Sequence, residues 1–172
     1  MDSATMHQLW NYAFKLEMHI HCVERLKLEF KLQNLDQQAF EFSFAWHSYF
    51  PIDTQNVQVL GLQNIEYIDQ LDNNSLKHQP EETIQFNSEL DRIYPKTSGQ
   101  FMLKQNEQDQ IQIQSTAKSA VIWNPWIDKA ARLADVDNDA WQDFICVEAG
   151  QIASQSLWLP AGESVHYQLE IT

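Results

Sequence analysis

Long stretches of this chain alternate apolar and polar residues one by one. Leu26, Leu28, Phe30 and Leu32 alternate with Lys27, Glu29 and Lys31. Phe40, Phe42, Phe44 and Trp46 alternate with Glu41, Ser43 and Ala45. Ile111 and Ile113 stand between Gln110, Gln112 and Gln114, and Val165, Tyr167, Leu169 and Ile171 repeat the pattern near the C-terminus. A period of two places every second side chain on one face of a strand, so each stretch predicts a strand with one apolar face. Turn-forming clusters separate them: Asn34-Leu-Asp36, Asp72-Asn-Asn-Ser75, Asn106-Glu-Gln-Asp109 and Pro160-Ala-Gly162. Many one-faced strands predict an all-β fold, an antiparallel β-sandwich.

Only one stretch has helical spacing. After Asn124-Pro125, the residues Ile127, Ala130, Ala131 and Ala134 recur at that period, with Asn124 as cap, Pro125 in the first turn and Asp128 near the positive end of the dipole. Neither a repeat nor a linker interrupts the chain, so residues 1–172 read as one domain. Its 44% apolar residues suffice for a core. The abundant glutamines are scattered through strands, as residues of solvent-facing sides.

The formal net charge is −13. Such a surface repels nucleic acid phosphates and anionic lipid headgroups, which excludes both as partners. A phosphorylated substrate would need cations close to its phosphate. Cys22 and Cys146 both lie in apolar strand-like contexts and read as reduced, buried thiols; no cysteine pair has zinc spacing. His19 and His21 share a strand face, but no third ligand accompanies them, so no metal is predicted. With no basic-then-apolar leader and no apolar run of membrane length, the reading is a cytoplasmic protein.

Three polar residues stand at strand ends beside aromatic-rich strands. They are His47 in Trp-His47-Ser-Tyr-Phe, Asp91 in Leu-Asp91-Arg-Ile-Tyr and Glu148 in Cys-Val-Glu148-Ala-Gly. If Phe40 to Trp46 form one strand facing the core, parity turns His47 to the opposite face. Taken alone, His47 reads first as a surface histidine and Asp91 as a turn residue. Glu148 is different, because a carboxylate ending the apolar strand Ile145-Cys-Val147 is costly unless paired or functional. Burial there would raise its pKa toward neutrality, as a general base needs. Trp123 and Trp126, flanking Asn-Pro, read as core packing or as an aromatic wall for a sugar face. An imidazole and two carboxylates can give a proton, take a proton and hold hydroxyls.

Taken in order, Leu-Trp10-Asn-Tyr-Ala-Phe14, His47-Ser-Tyr-Phe50, Gly61-Leu62, Asp91-Arg-Ile-Tyr94, Trp123-Asn-Pro-Trp126 and Cys146-Val-Glu148-Ala-Gly150 resemble the aldose 1-epimerases, in particular the glucose-6-phosphate 1-epimerase (hexose-6-phosphate mutarotase) branch. The resemblance covers nearly the whole chain. It implies a galactose-mutarotase-like β-supersandwich that interconverts the anomers of a hexose or hexose 6-phosphate. It implies that His47 protonates the ring oxygen as general acid. Glu148 would take the proton of the anomeric hydroxyl as general base, and Asp91 would bind sugar hydroxyls. The implied chemistry needs no metal and no cofactor.

The resemblance begins in the middle of such chains, whose earlier part supplies strands and substrate-binding arginines. It therefore implies either a C-terminal portion of a longer protein or a short member of the family, one that is inactive or that completes its site as a homo-oligomer. A sandwich cut through its sheets has open edges that tend to pair with another chain. Of Arg25, Arg92 and Arg132, Arg92 is the one beside a site motif. The substrate-binding candidates are thus Asp91, Arg92, Trp123 and Trp126, with Lys129 as a further cation. The alternative is a noncatalytic carbohydrate-binding or structural β-sandwich module.

Overall fold

The computed structural model describes residues 10–106 and 110–172. Part of the Asn106–Asp109 turn, together with Leu9 and His7, lies outside the described residues. The alternating stretches are strands. The first half holds β1 (Phe14–Cys22), β2 (Leu26–Asn34), β3 (Phe40–Phe42), β4 (Phe44–Trp46), β5 (Tyr49–Pro51), β6 (Gln58–Leu60), β7 (Ile65–Asp69) and β8 (Ser75–Gln79). The second half holds β9 (Thr83–Ile84), β10 (Leu90–Tyr94), β11 (Gln100–Lys104), β12 (Gln110–Ser115), β13 (Ser119–Asn124), β14 (Phe144–Gln151), β15 (Leu157–Leu159) and β16 (Ser164–Ile171).

One sheet runs β1-β2-β16-β12-β11-β6-β9 and the other β4-β14-β13-β10-β7-β8, with β5 also paired to β14. All of these pairings are antiparallel, as is the small β15–β3 sheet. Their inner faces share one apolar core that includes Val59, Leu103, Ile113 and Leu169 from the first sheet and Tyr94, Ile122, Ile145 and Val147 from the second. Each large aliphatic side chain removed from water there contributes about 1.5–3 kcal/mol. Polar partners outside the core face water, which is why alternation in the sequence becomes a sandwich.

The structure corrects several expectations. Phe40 to Trp46 is not one strand: β3 pairs with β15, β4 pairs with β14, and Ser43 breaks the chain between them. The aromatic row still packs inward, because a strand passing from one sheet to another keeps its alternation across the corner; Phe44 stacks on Phe30 at 4.3 Å. Cys22 is exposed, while Cys146 is buried and both are free. Cys22 ends β1, an edge strand of its sheet, whose apolar row Leu16, Met18 and Ile20 is also exposed. The helix, α1 (Trp126–Ala130), is shorter than the alanine spacing suggests and stops before Ala134. Pro125 occupies the cap position, and Asn124 Oδ1 accepts the backbone N–H of Trp126 at 2.9 Å. Among the described residues, His19 and His21 belong to no metal-ligating group, and no helix is long and apolar enough to cross a membrane.

Candidate active site

β4 and β5 lie end to end along β14: Phe44–Trp46 pair with residues 149–151, and Tyr49–Pro51 pair with residues 144–146. His47 and Ser48 fill the break between them. The Ser48 N–H reaches back to the Trp46 carbonyl at 2.9 Å, and the Ser48 carbonyl accepts the Val147 N–H at 3.3 Å. This pinned kink brings His47 beside Glu148, and His47 Nε2 stands 3.2 Å from Glu148 Oε1. Gly150 lets β4 pass so near, because a Cβ at that position would fall 2.3 Å from the Phe44 carbonyl oxygen.

Directly opposed residues in an antiparallel ladder share a face. Tyr49, Cys146, Trp123 and Asp91 are so opposed across β5, β14, β13 and β10. Glu148 lies two residues beyond Cys146 and so on the same face. The His47 ring stacks on Tyr49 (centroids 4.8 Å apart) and meets Trp123 edge-on at 5.9 Å. One outer face of the sheet therefore gathers His47, Glu148, Asp91, Trp123, Tyr49 and Cys146.

The electrostatics of this face follow from burial. Glu148 is only 8% exposed. Burial, with the nearby Asp91 charge second, pushes its carboxyl up to about 7. Burial likewise pushes the Cys146 thiol well up, with the Glu148 charge adding to it. His47 is open to solvent, its side chain 51% exposed. Asp91 accepts a hydrogen bond from Gln70 Nε2 and has Lys129 Nζ at 3.5 Å. Lys129 also pairs with Glu89 at 3.2 Å and hovers 5.6 Å from the Trp123 ring centre. Among the described residues, His47, Cys146 and Glu148 form a group whose donor atoms all lie within 4.8 Å of one another, a set able to hold a metal ion.

Two sequence candidates stand apart. Arg92 follows Asp91 in β10 and so takes the opposite face, where it donates to Gln79 Oε1 at 2.9 Å and lies 4.6 Å over the Tyr67 ring. Trp126 packs against Trp141 at 4.2 Å, with φ of 55°. Its neighbour Asn124 has a structural part, because Nδ2 donates to the carbonyls of Trp141 and Phe144 at 2.9 and 2.8 Å. Thr54 Oγ1 lies 2.9 and 2.8 Å from the same two carbonyls. These contacts tie down the turn that leads into β14. Sequence reasoning missed Tyr49 and Cys146 as neighbours of the pair, although parity places each two residues from a candidate. Gln70 arrives from the end of β7 and gives no local signal.

The profile of the aldose 1-epimerase family matches residues 1–172. The chain belongs to this family. A Cenchrus ciliaris protein assigned as a glucose-6-phosphate 1-epimerase is 26% identical over 163 residues, covering 91% of this chain and 49% of the relative. A Salmonella typhimurium protein assigned as a mutarotase superposes with a TM-score of 0.88 at 21% identity, covering 99% of this chain and 57% of that one. The galactose mutarotase related enzyme of Lactobacillus acidophilus superposes with a TM-score of 0.79 at 12% identity, covering 99% and 65%. The fold is therefore the galactose-mutarotase-like antiparallel β-sandwich. The chain spans about half the length of the curated relative it matches. As in the sequence reading, the family is one of epimerases.

Proposed function

We propose that this chain carries the acid–base pair of a hexose mutarotase, with His47 as general acid, Glu148 as general base and Asp91 and Trp123 holding the sugar. The observation that carries this reading is the 3.2 Å approach of His47 Nε2 to Glu148 Oε1 on an open face. The ring oxygen and the anomeric hydroxyl share one carbon, so a donor and an acceptor this close can reach both at once. Glu148 takes the proton from the anomeric hydroxyl while protonated His47 gives one to the ring oxygen. The C1–O5 bond breaks and the free aldehyde forms. After rotation about C1–C2, the C5 hydroxyl attacks the other face of C1. His47 recovers its proton, and Glu148 returns one to the new anomeric oxygen.

A carboxyl poised near 7 suits a base working at neutral pH. The Trp123 and Tyr49 rings offer an apolar wall for a sugar face, and the Asp91 carboxylate accepts from hydroxyls. Family membership weighs against a noncatalytic module. For a hexose 6-phosphate, Lys129 is a cation beside this face but is already engaged by Asp91 and Glu89, so the free hexose is the better fit to this chain. Self-association fits the open edge of β1, with its exposed Leu16, Met18 and Ile20.

The test is NMR exchange between α and β anomers of glucose, galactose and glucose 6-phosphate. Exchange above the spontaneous rate, lost in Glu148→Gln and His47→Asn, supports the reading. Exchange at wild-type rate in either variant overturns it.

A further inference from the structure

We propose that His47, Cys146 and Glu148 form a binding site for a thiophilic divalent cation of the zinc class. Cys146 and Glu148 are two apart on β14 and project from one face, and His47 approaches from the break between β4 and β5. Their donor atoms lie within 4.8 Å of one another, and the His47–Glu148 pair is already at 3.2 Å. Tetrahedral zinc with bonds of about 2.0–2.3 Å separates its ligand atoms by roughly 3.3–3.8 Å. Small side-chain rotations close the set on one ion.

The donor chemistry selects the metal. One thiolate, one imidazole and one carboxylate suit zinc or cobalt, whereas magnesium and calcium prefer all-oxygen shells. The bond to Cys146 forms as its thiol proton leaves to solvent, and the ion's charge offsets the cost of a buried thiolate. Access is from the exposed His47 side, which leaves a fourth coordination position open there. Resting on the proposed function, a second consequence follows. A bound ion ties up both the proton donor and the proton acceptor, so it should compete with the sugar.

The test is a titration of the 172-residue chain with cobalt(II), read by the thiolate-to-cobalt charge-transfer band. The band should appear at one equivalent, persist in Cys22→Ala and vanish in Cys146→Ala. His47→Gln, at an exposed side chain, should weaken binding about 10–100-fold or more. Absence of the band, its loss with Cys22, or unchanged affinity in His47→Gln overturns the site. Should Cys146→Ala not fold, His47→Gln decides. Anomer exchange is read separately. A chain that binds cobalt without exchange sinks the mutarotase reading alone, and one that exchanges without binding cobalt sinks the metal site alone.

Discussion

His47 Nε2 and Glu148 Oε1 are 3.2 Å apart, the imidazole open to water and the carboxylate buried. In the proposed mechanism, that asymmetry divides the work between them. Solvent reaches the His47 ring, whereas burial lifts the Glu148 carboxyl toward neutrality.

Removing either group should cost activity far more than stability. His47→Asn and Glu148→Gln are each expected to lower anomer exchange about 10²–10⁴-fold, the usual cost of losing a positioned acid or base. Circular dichroism melts of the two variants, run beside the NMR exchange assay, check that the fold survives.

The rate should rise with pH through about 7, because free Glu148 must lose its proton to act as base. Asp91 is the secondary cause of the raised carboxyl, so Asp91→Asn should move this limb of the kcat/KM profile to lower pH. Burial remains in that variant, so the shift is partial. A limb that stays in place would show that the Asp91 charge does not reach Glu148.

The same shift links pH to stability. The folded carboxyl holds its proton up to about 7, whereas the unfolded one loses it near 4.5, so between these values the native state binds more protons. Stability therefore falls as pH rises across this window. The full effect is on the order of 3 kcal/mol. Glu148→Gln cannot ionise and should lose this slope, so its melting temperature should gain on wild type between pH 5 and pH 8. Parallel melting curves across that range would contradict it.

How much of this is legible in the sequence depends on whether a residue's partner is local. Strand faces are legible, because Leu28 to Leu32 and Val165 to Ile171 alternate by geometry alone. The break at Ser43 is not, since the choice of β15 for β3 and β14 for β4 is made by distant strands. The exposure of Cys22 is likewise illegible, because an apolar alternating strand looks the same at an edge as in the middle. At the site, parity sets His47 opposite Trp46 and Tyr49 and Cys146 near the pair. The turn of Arg92 away from Asp91 also follows from parity, whereas the Lys129 and Gln70 contacts to Asp91 depend on tertiary approach.

Gly150 tests the route by which the fold positions His47. A methyl there meets the Phe44 carbonyl at 2.3 Å and Ala45 Cα at 2.8 Å, so β4 must retreat from β14. Gly150→Ala should destabilise the protein by about 1–3 kcal/mol, the usual cost of overpacking. It should also slow exchange, because β4 leads straight into His47. Denaturant melts and the exchange assay on one sample would separate the two effects; unchanged stability would mean that β4 is not held where Gly150 allows it.

The last expectation concerns phosphate. Tight phosphate binding usually draws on arginine forks, and Arg92 is committed to Gln79 and the Tyr67 ring on the far face of β10. Lys129 is shared between Glu89 and Asp91 and sits in a chain of net charge −13. Calorimetric titration should therefore find glucose 6-phosphate bound hardly better than glucose, with Arg92→Ala changing neither affinity. Lys129→Gln should leave that ratio near one while freeing Asp91 from its cation. A strong preference for the phosphate that disappears in Arg92→Ala would mean that the guanidinium leaves Tyr67 to meet the ligand, and would make this chain a sugar-phosphate binder in its own right.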